Sequence, residues 1–301
     1  MTERSSLVAQ VSKPAVSQTS PSARAWCAPR VRKPALDVQF ALLAILFACL
    51  SGCSTVDQRE ARPLRILPVG DSITAGYTDN PAWRTPFEFG YREPLFQLLR
   101  SNRIAFRFVG DSQEPWNGLW KVPTNSPKPD LRCFGQDHHE GYGAKGTAFV
   151  AQHIGRWMET HQPDIVLLMI GINDIAAGST NPPAAAITNL QRIVDTIATI
   201  RPRTHVIVAE NIPYTKPTPA MVELNRFICE TLVPAARAQG RNVSSVDHYS
   251  MMVSGSDPLT GDRRWYSNGW NHPNAAAYHR MAQSWFEEIR RVAKVKVEEP
   301  R

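Results

Sequence analysis

Leu64-Arg65-Ile66-Leu67-Pro68-Val69-Gly70-Asp71-Ser72-Ile73-Thr74 is the stretch whose reading decides the fold. Leu64–Val69 reads as a short aliphatic strand, and Gly70 permits a sharp turn at its end. A serine at the carboxyl end of a strand sits where open α/β sheets place their ligands. Serine is a weak nucleophile until a base takes its proton, so Ser72 needs partners elsewhere in the chain. By itself it reads equally well as the cap of a following helix.

Working outward, strand and helix patterns alternate. Leu95, Phe96, Leu98 and Leu99 mark a helix, and residues 104–109 form a second strand. Phe149, Ile154 and Trp157 mark the next helix, followed by the most hydrophobic strand, 164–170. Ile187, Leu190, Val194 and Ile197 recur at helical spacing before a fourth strand at 205–209. Met221, Leu224 and Ile228 continue a helix that Pro234 and Gly240 are expected to end. A fifth strand covers 243–246, and Tyr278, Met281, Trp285, Ile289 and Val292 line the last helix. Such alternation predicts an α/β fold with a parallel sheet covered on both faces. Five strands fit the flavodoxin-like order 2-1-3-4-5, in one domain over 64–295 with a tail at 296–301. There is no sign of an internal repeat or a second domain. Gln113 to Gln136 is a long loop rich in Pro, Asn and Trp, and loops of that length are usually functional or disordered.

Three further blocks follow in order. Gly141-Tyr142-Gly143 comes after His139-Glu140, Gly171-Ile172-Asn173-Asp174 follows the strand at 164–170, and His272-Pro273-Asn274 opens the last helix. With Gly70-Asp71-Ser72 they make a set that resembles the SGNH (GDSL-type) hydrolase superfamily, over roughly Leu64 to Val292. The G-x-S-x-G elbow of other esterases is absent. The resemblance implies a single three-layer flavodoxin-like domain with a five-stranded parallel sheet. It implies Ser72 as nucleophile and His272 as general base. An oxyanion hole would come from the N–H of Ser72, Asn173 and a backbone N–H of the glycine block, taken as Gly143; by spacing, the family glycine falls near Ala144. Read without the resemblance, Asn173 is a turn residue and His272 a surface histidine. Asp71 and Asp174 are expected to hold turns through side-chain-to-backbone bonds.

The departure from the family is the triad acid. The position three residues before His272 is Gly269. Asn268 or a backbone carbonyl could orient the imidazole, leaving a dyad, or Asp262 or Asp257 could fold back to it.

Composition sets the outer limits. At 43% hydrophobic and 20% charged, the chain reads as an ordinary globular protein. The formal charge of +7 is concentrated at the start: residues 1–52 carry net +4 and the remainder +3 with no dense basic run. Nucleic-acid binding needs a basic face, so it is not expected. Residues 1–52 read as a disordered leader plus a lipoprotein signal peptide, with Arg30, Arg32 and Lys33 before an apolar run that is too short to span a bilayer. A start later than Met1, with Val31 best placed, is the alternative account of the first 30 residues. Leu50-Ser51-Gly52-Cys53 resembles a bacterial lipobox, which implies lipidation of Cys53, a polar tether over 53–63 and a membrane anchor in the cell envelope. Ser54 favours the outer membrane by the same resemblance. Cys133 and Cys229 could pair or stay free. No cofactor is expected. Asp137-His138-His139-Glu140 matches no common zinc spacing, its adjacent side chains diverge, and no metal is expected there.

The pattern His139-Glu140-Gly141-Tyr142-Gly143, with Phe89-Gly90-Tyr91-Arg92 and Phe108-Val109-Gly110-Asp111, looks like the carbohydrate-acetylesterase branch. That implies an esterase removing acyl, foremost acetyl, groups from an acylated carbohydrate. Trp83, Trp116, Trp120 and Trp270 could support sugar rings or simply pack loops. A lysophospholipase or thioesterase of the same superfamily, or a non-catalytic glycan-binding surface lipoprotein, are the alternatives.

Overall fold

The computed structural model describes residues 62–77, 89–112, 131–175, 180–266 and 272–298. The leader, signal, Cys53 and most of the tether lie outside them, as do Asn268, Gly269 and the four loop tryptophans.

Strand β1 (Leu64–Gly70) runs through the middle of the sheet and ends at Asp71, where α1 (Ser72–Ala75) begins. Helix α2 (Arg92–Ser101) returns the chain to β2 (Phe106–Phe108). A two-residue strand, β3 (Glu140–Gly141), leads to α3 (Thr147–His161), β4 (Ile165–Met169), α4 (Ala184–Ile200) and β5 (His205–Ala209). Helix α5 (Pro219–Phe227) passes through a π-turn at Ile228–Leu232 into α6 (Val233–Ala238), then β6 (Val243–Val246) and α7 (Ala275–Glu298). The sheet order is β2-β1-β4-β5-β6, with β3 pairing β1, and every pairing is parallel. In the numbering of the five expected strands this is the order 2-1-3-4-5; β3 is the addition. All five residues of β4 are buried, as a strand covered on both faces requires. Helix α2 packs against α7 and α3 against α4. The apolar residues expected on α7 all lie in the core, with Tyr278, Met281, Trp285, Ile289 and Val292 no more than 3% exposed.

Pro68 stands inside a central strand, where a missing N–H ordinarily breaks the ladder. Register explains its presence. Leu64 N–H bonds Ala105 O and Val109 N–H bonds Ile66 O, so the even-numbered residues of β1 face β2. Further along the same edge, Tyr142 N–H bonds Gly70 O. Strand β2 aligns with Leu64–Ile66 and β3 with Val69–Gly70, so Pro68 falls in the gap between them. No donor is wanted there.

Two local expectations change. The second strand is shorter than 104–109, and Pro234 does not end its helix. The π-turn widens the backbone just ahead of Val233, and Pro234 occupies the first turn of α6, where its missing N–H costs nothing. Gly240, at φ +75°, marks the true end. Cys133 and Cys229 are both free thiols. Among the described residues no helix is long and apolar enough to cross a membrane.

Candidate active site

Ser72 is the first residue of α1, 8% exposed, at the carboxyl end of β1. Gly70 serves this turn by giving room: a Cβ there would lie 2.3 Å from Thr74 Oγ1 and 2.4 Å from Met169 O. Asp71 caps the helix, its Oδ1 accepting from Ile73 N–H at 2.9 Å. The turn closes at Gly76 (φ +96°), which meets the backbone of Gly90 so closely that a Cβ on either would clash. Complete burial pushes the Asp71 carboxyl up to about 7, against the Ile73 N–H bond and the nearby His272, which both favour the charged form. Its Oδ2 has no hydrogen-bond partner.

His272 arrives from the far end of the chain. Its Nε2 lies 2.8 Å from Ser72 Oγ, across 200 residues of sequence. The His-Pro-Asn block accounts for its placement. Asn274 caps α7 by accepting from Ala277 N–H at 3.1 Å, and donates to Arg264 O at 2.6 Å. Pro273 forms an antiparallel bridge with Tyr266. On the other flank, Tyr278 OH donates to Tyr77 O at 2.6 Å, and the Tyr77 ring lies 5.9 Å from the imidazole. For Ser72 to donate to Nε2, the imidazole proton must sit on Nδ1.

Asn173 lies on a single 3-10 turn after β4, exposed, with Nδ2 donating to Lys145 O at 2.9 Å. An amide nitrogen carries two protons, so one N–H remains for a substrate oxygen. Tyr214 OH holds this turn by donating to Ile172 O at 2.8 Å. The glycine block is drawn to the same end of the sheet by the Tyr142–Gly70 bond, which brings Gly143 beside β1. Ala144, at the spacing of the family glycine, adopts φ +58°, a left-handed backbone that glycine takes without strain. Asp174 fixes the block from behind: it accepts from Thr147 N–H at 2.8 Å and Thr147 Oγ1 at 2.7 Å, capping α3. Asp71 and Asp174 thus do make side-chain-to-backbone bonds, though the bonds of Asp174 span 27 residues instead of one turn.

The expectation that Asp262 or Asp257 folds back to His272 is corrected. Asp262 bonds Arg264 through its backbone N–H, Nε and Nη2, and Asp257 bonds Leu259 N–H and Thr260 Oγ1. Each is more cheaply satisfied by its own turn than by a reach across the loop.

The side chains of the 137–140 stretch do diverge. His138 Nδ1 meets Gly110 O at 3.0 Å, and His139 Nδ1 accepts from Gly141 N–H at 2.9 Å. Glu140 is wholly buried and pairs with His161 Nε2 at 3.0 Å, while Asp111 N–H and Tyr142 OH complete its oxygens at 2.8 and 2.7 Å. Asp111, Glu140 and His161 offer ligand-type atoms within 4.8 Å of one another. Sequence reading missed His161 and Asp111 here, since nothing in their spacing joins them to Glu140.

A family model for GDSL-like lipases and acylhydrolases matches residues 69–280, a span that holds Ser72, Gly143, Asn173 and His272. The chain belongs to that family. The family is one of ester-hydrolysing enzymes, and the expectation of an enzyme stands with it. A multidomain esterase of Ruminococcus flavefaciens is 23% identical over 249 residues, covering 76% of this chain, which spans only 29% of that protein's length. Among solved structures, a carbohydrate esterase family 3 protein from Talaromyces cellulolyticus superposes with a TM-score of 0.60 at 20% identity, over 77% of this chain and 98% of the other. A family 3 carbohydrate esterase from Clostridium thermocellum gives 0.54 at 23%, over 78% and 99%. These likenesses establish the fold as that of SGNH hydrolases.

Proposed function

We propose that the chain is a serine esterase that removes acetyl groups from a carbohydrate carrier, acting through Ser72 and His272. The observation that carries this reading is the 2.8 Å contact between Ser72 Oγ and His272 Nε2 at the carboxyl end of the sheet. In the first step Ser72 Oγ forms a bond to the acyl carbon as its proton passes to Nε2. The oxyanion is met by backbone N–H groups of Ser72 and Gly143 and by the amide of Asn173. Collapse breaks the bond to the sugar oxygen, which takes the proton from His272. Water then attacks the acyl-enzyme with His272 again as base, releasing acetate. Support for the carbohydrate carrier comes from the names of the family 3 carbohydrate esterases whose fold it shares. We also propose that Cys53 carries a lipid that anchors the mature chain in the cell envelope, on the strength of the basic, apolar and small-residue zones that precede it.

The test compares wild type with Ser72→Ala on 4-nitrophenyl acetate, 4-nitrophenyl octanoate and an acetylated hemicellulose. Wild type should release acetate from the polymer and prefer acetate to octanoate, and Ser72→Ala should lose activity by several orders of magnitude. Residual activity within tenfold removes Ser72 from the mechanism. A rate that rises with acyl length assigns the chain to the lipid-hydrolase alternative.

A further inference from the structure

Arg92 is a large charged side chain with no exposed surface at all. A buried cation ordinarily needs an anion beside it. Here the guanidinium is satisfied by three backbone carbonyls: Nε donates to Thr74 O at 3.1 Å, Nη2 to Ala75 O at 3.0 Å and Nη1 to Asp137 O at 2.7 Å. Burial draws its pKa down to about 10, and it remains charged at neutral pH.

The identity of those carbonyls gives the arrangement its meaning. Thr74 and Ala75 are the last two residues of the one-turn helix whose first residue is Ser72. A helix that short cannot hold itself, and its carboxyl-end carbonyls have no partners within it. Arg92 supplies those partners, and its positive charge suits the negative end of the helix. Asp137 belongs to the segment that enters β3 and leads to Gly143 three residues after Glu140. One rigid planar fork therefore ties the nucleophile's turn to the strand that delivers the oxyanion block. Lysine could not do this, since a single ammonium on a flexible stem cannot direct donors at three carbonyls in a fixed fork. Tyr91 and Gly90 reinforce the same end of the turn, through Thr74 Oγ1 at 3.3 Å and the Gly76 backbone.

We propose that Arg92 is a positioning residue, which sets the distance between Ser72 Oγ and the backbone donors of the glycine block by clamping both segments through their carbonyls. This rests on the esterase reading above. Arg92 touches neither the nucleophile nor a substrate, so its effect falls on the transition state, where a misplacement near 1 Å costs about a hundredfold in rate.

The test uses Arg92→Lys and Arg92→Met in the otherwise unchanged chain, at a temperature well below the midpoint of each variant. Reactive sites are counted by fluorophosphonate labelling, and rates on 4-nitrophenyl acetate are expressed per labelled site. We expect kcat per site to fall about 30- to 100-fold in both variants, with KM within about threefold of wild type. The acidic limb of the pH profile should stay in place, because His272 keeps its partners. A folded Arg92→Lys or Arg92→Met with kcat per site within about threefold of wild type overturns the inference. So does failure of both variants to fold, which would make Arg92 a residue of the fold alone. A wild type inactive on every ester tested would sink the esterase reading instead, and that outcome is distinct from an active wild type whose Arg92 variants are equally active.

Discussion

The two halves of the candidate site are held by different means. The turn that carries Ser72, Asp71 to Gly76, is buried throughout, and its anchors are ionisable side chains gripping backbone: Asp71 at its amino end and Arg92 at its carboxyl end. The segment from Asp257 to Trp265, which precedes His272 in the chain, is mostly exposed and is fastened at its surface. Asp262 holds an Arg264 side chain that is 81% exposed, Asp257 holds its own exposed turn, and Arg280 covers Trp265 at 4.7 Å. Ser72 is buried and His272 half-buried. On the proposed mechanism the difference matches two chemical tasks. A nucleophile must be aimed once and held, whereas the base must reach the serine, the leaving oxygen and then water in turn.

The sharpest way to break that division is His272→Asn, which keeps a polar side chain but removes the base. Turnover of 4-nitrophenyl acetate should fall about 10³- to 10⁴-fold. A loss below tenfold would mean another group accepts the Ser72 proton. Next in size, Asn173→Ala should lower kcat about 10²- to 10³-fold with little change in KM, because its donor meets charge present only in the tetrahedral intermediate. Equal losses in kcat/KM through KM alone would return Asn173 to a turn residue.

Two buried groups should give stability opposite dependences on pH. His248, wholly buried against Trp285 with Asp247 nearby, has its imidazole pushed down to about 3 by burial. The folded form binds fewer protons than the unfolded chain between about 6.5 and 3, so its contribution is full above 6.5 and is lost as pH falls. Asp71 has the opposite sign: a folded value raised to about 7 gives stability that is present below 4 and lost as pH rises through 7. Melting temperatures from pH 4.5 to 8.5 should therefore show His248→Phe removing a rise in stability between pH 4.5 and about 6.5, and Asp71→Asn removing a fall between pH 4.5 and about 7. Unchanged slopes in both variants would sink this account.

Smaller effects sharpen the surface half. Asp262→Ala should cost less than about tenfold in activity, since its carboxylate serves Arg264. A loss near 10⁴ would restore it as the triad acid. Ala144→Gly should raise the melting temperature slightly, by the equivalent of about 0.5–1 kcal/mol, because relief of the left-handed strain outweighs the added freedom of the unfolded chain. A lower melting temperature would show that Ala144 carries no strain worth relieving.

The same contrast governs what could be read from the sequence. Strands β1, β4 and β5 are runs of buried aliphatic residues, and such runs declare themselves. The position of His272 was legible because Asn274 opens an amphipathic helix. Strand β3 was not, because two residues have no period. Arg92 stood inside a noticed pattern, Phe89-Gly90-Tyr91-Arg92, yet its role was invisible: carbonyl partners leave no trace in residue type. Pro234 misled because a π-turn is a backbone adjustment that no side chain announces. The pairing of Glu140 with His161 was hidden for a simpler reason, since it joins β3 to the far end of α3.

The contact between Ser72 and His272 also has a bearing on how the molecule comes into being. It closes a loop of 200 residues, so it is among the most entropically expensive contacts to form, and such long-range closures slow folding. A chain synthesised from its amino end would possess β1 and its serine for most of its time on the ribosome, with β6 emerging before His272. Only when α7 docks against α2 is the histidine delivered. On the proposed mechanism hydrolytic competence is therefore gained late, and the first appearance of ester cleavage during refolding would serve as a clock for the arrival of the final helix.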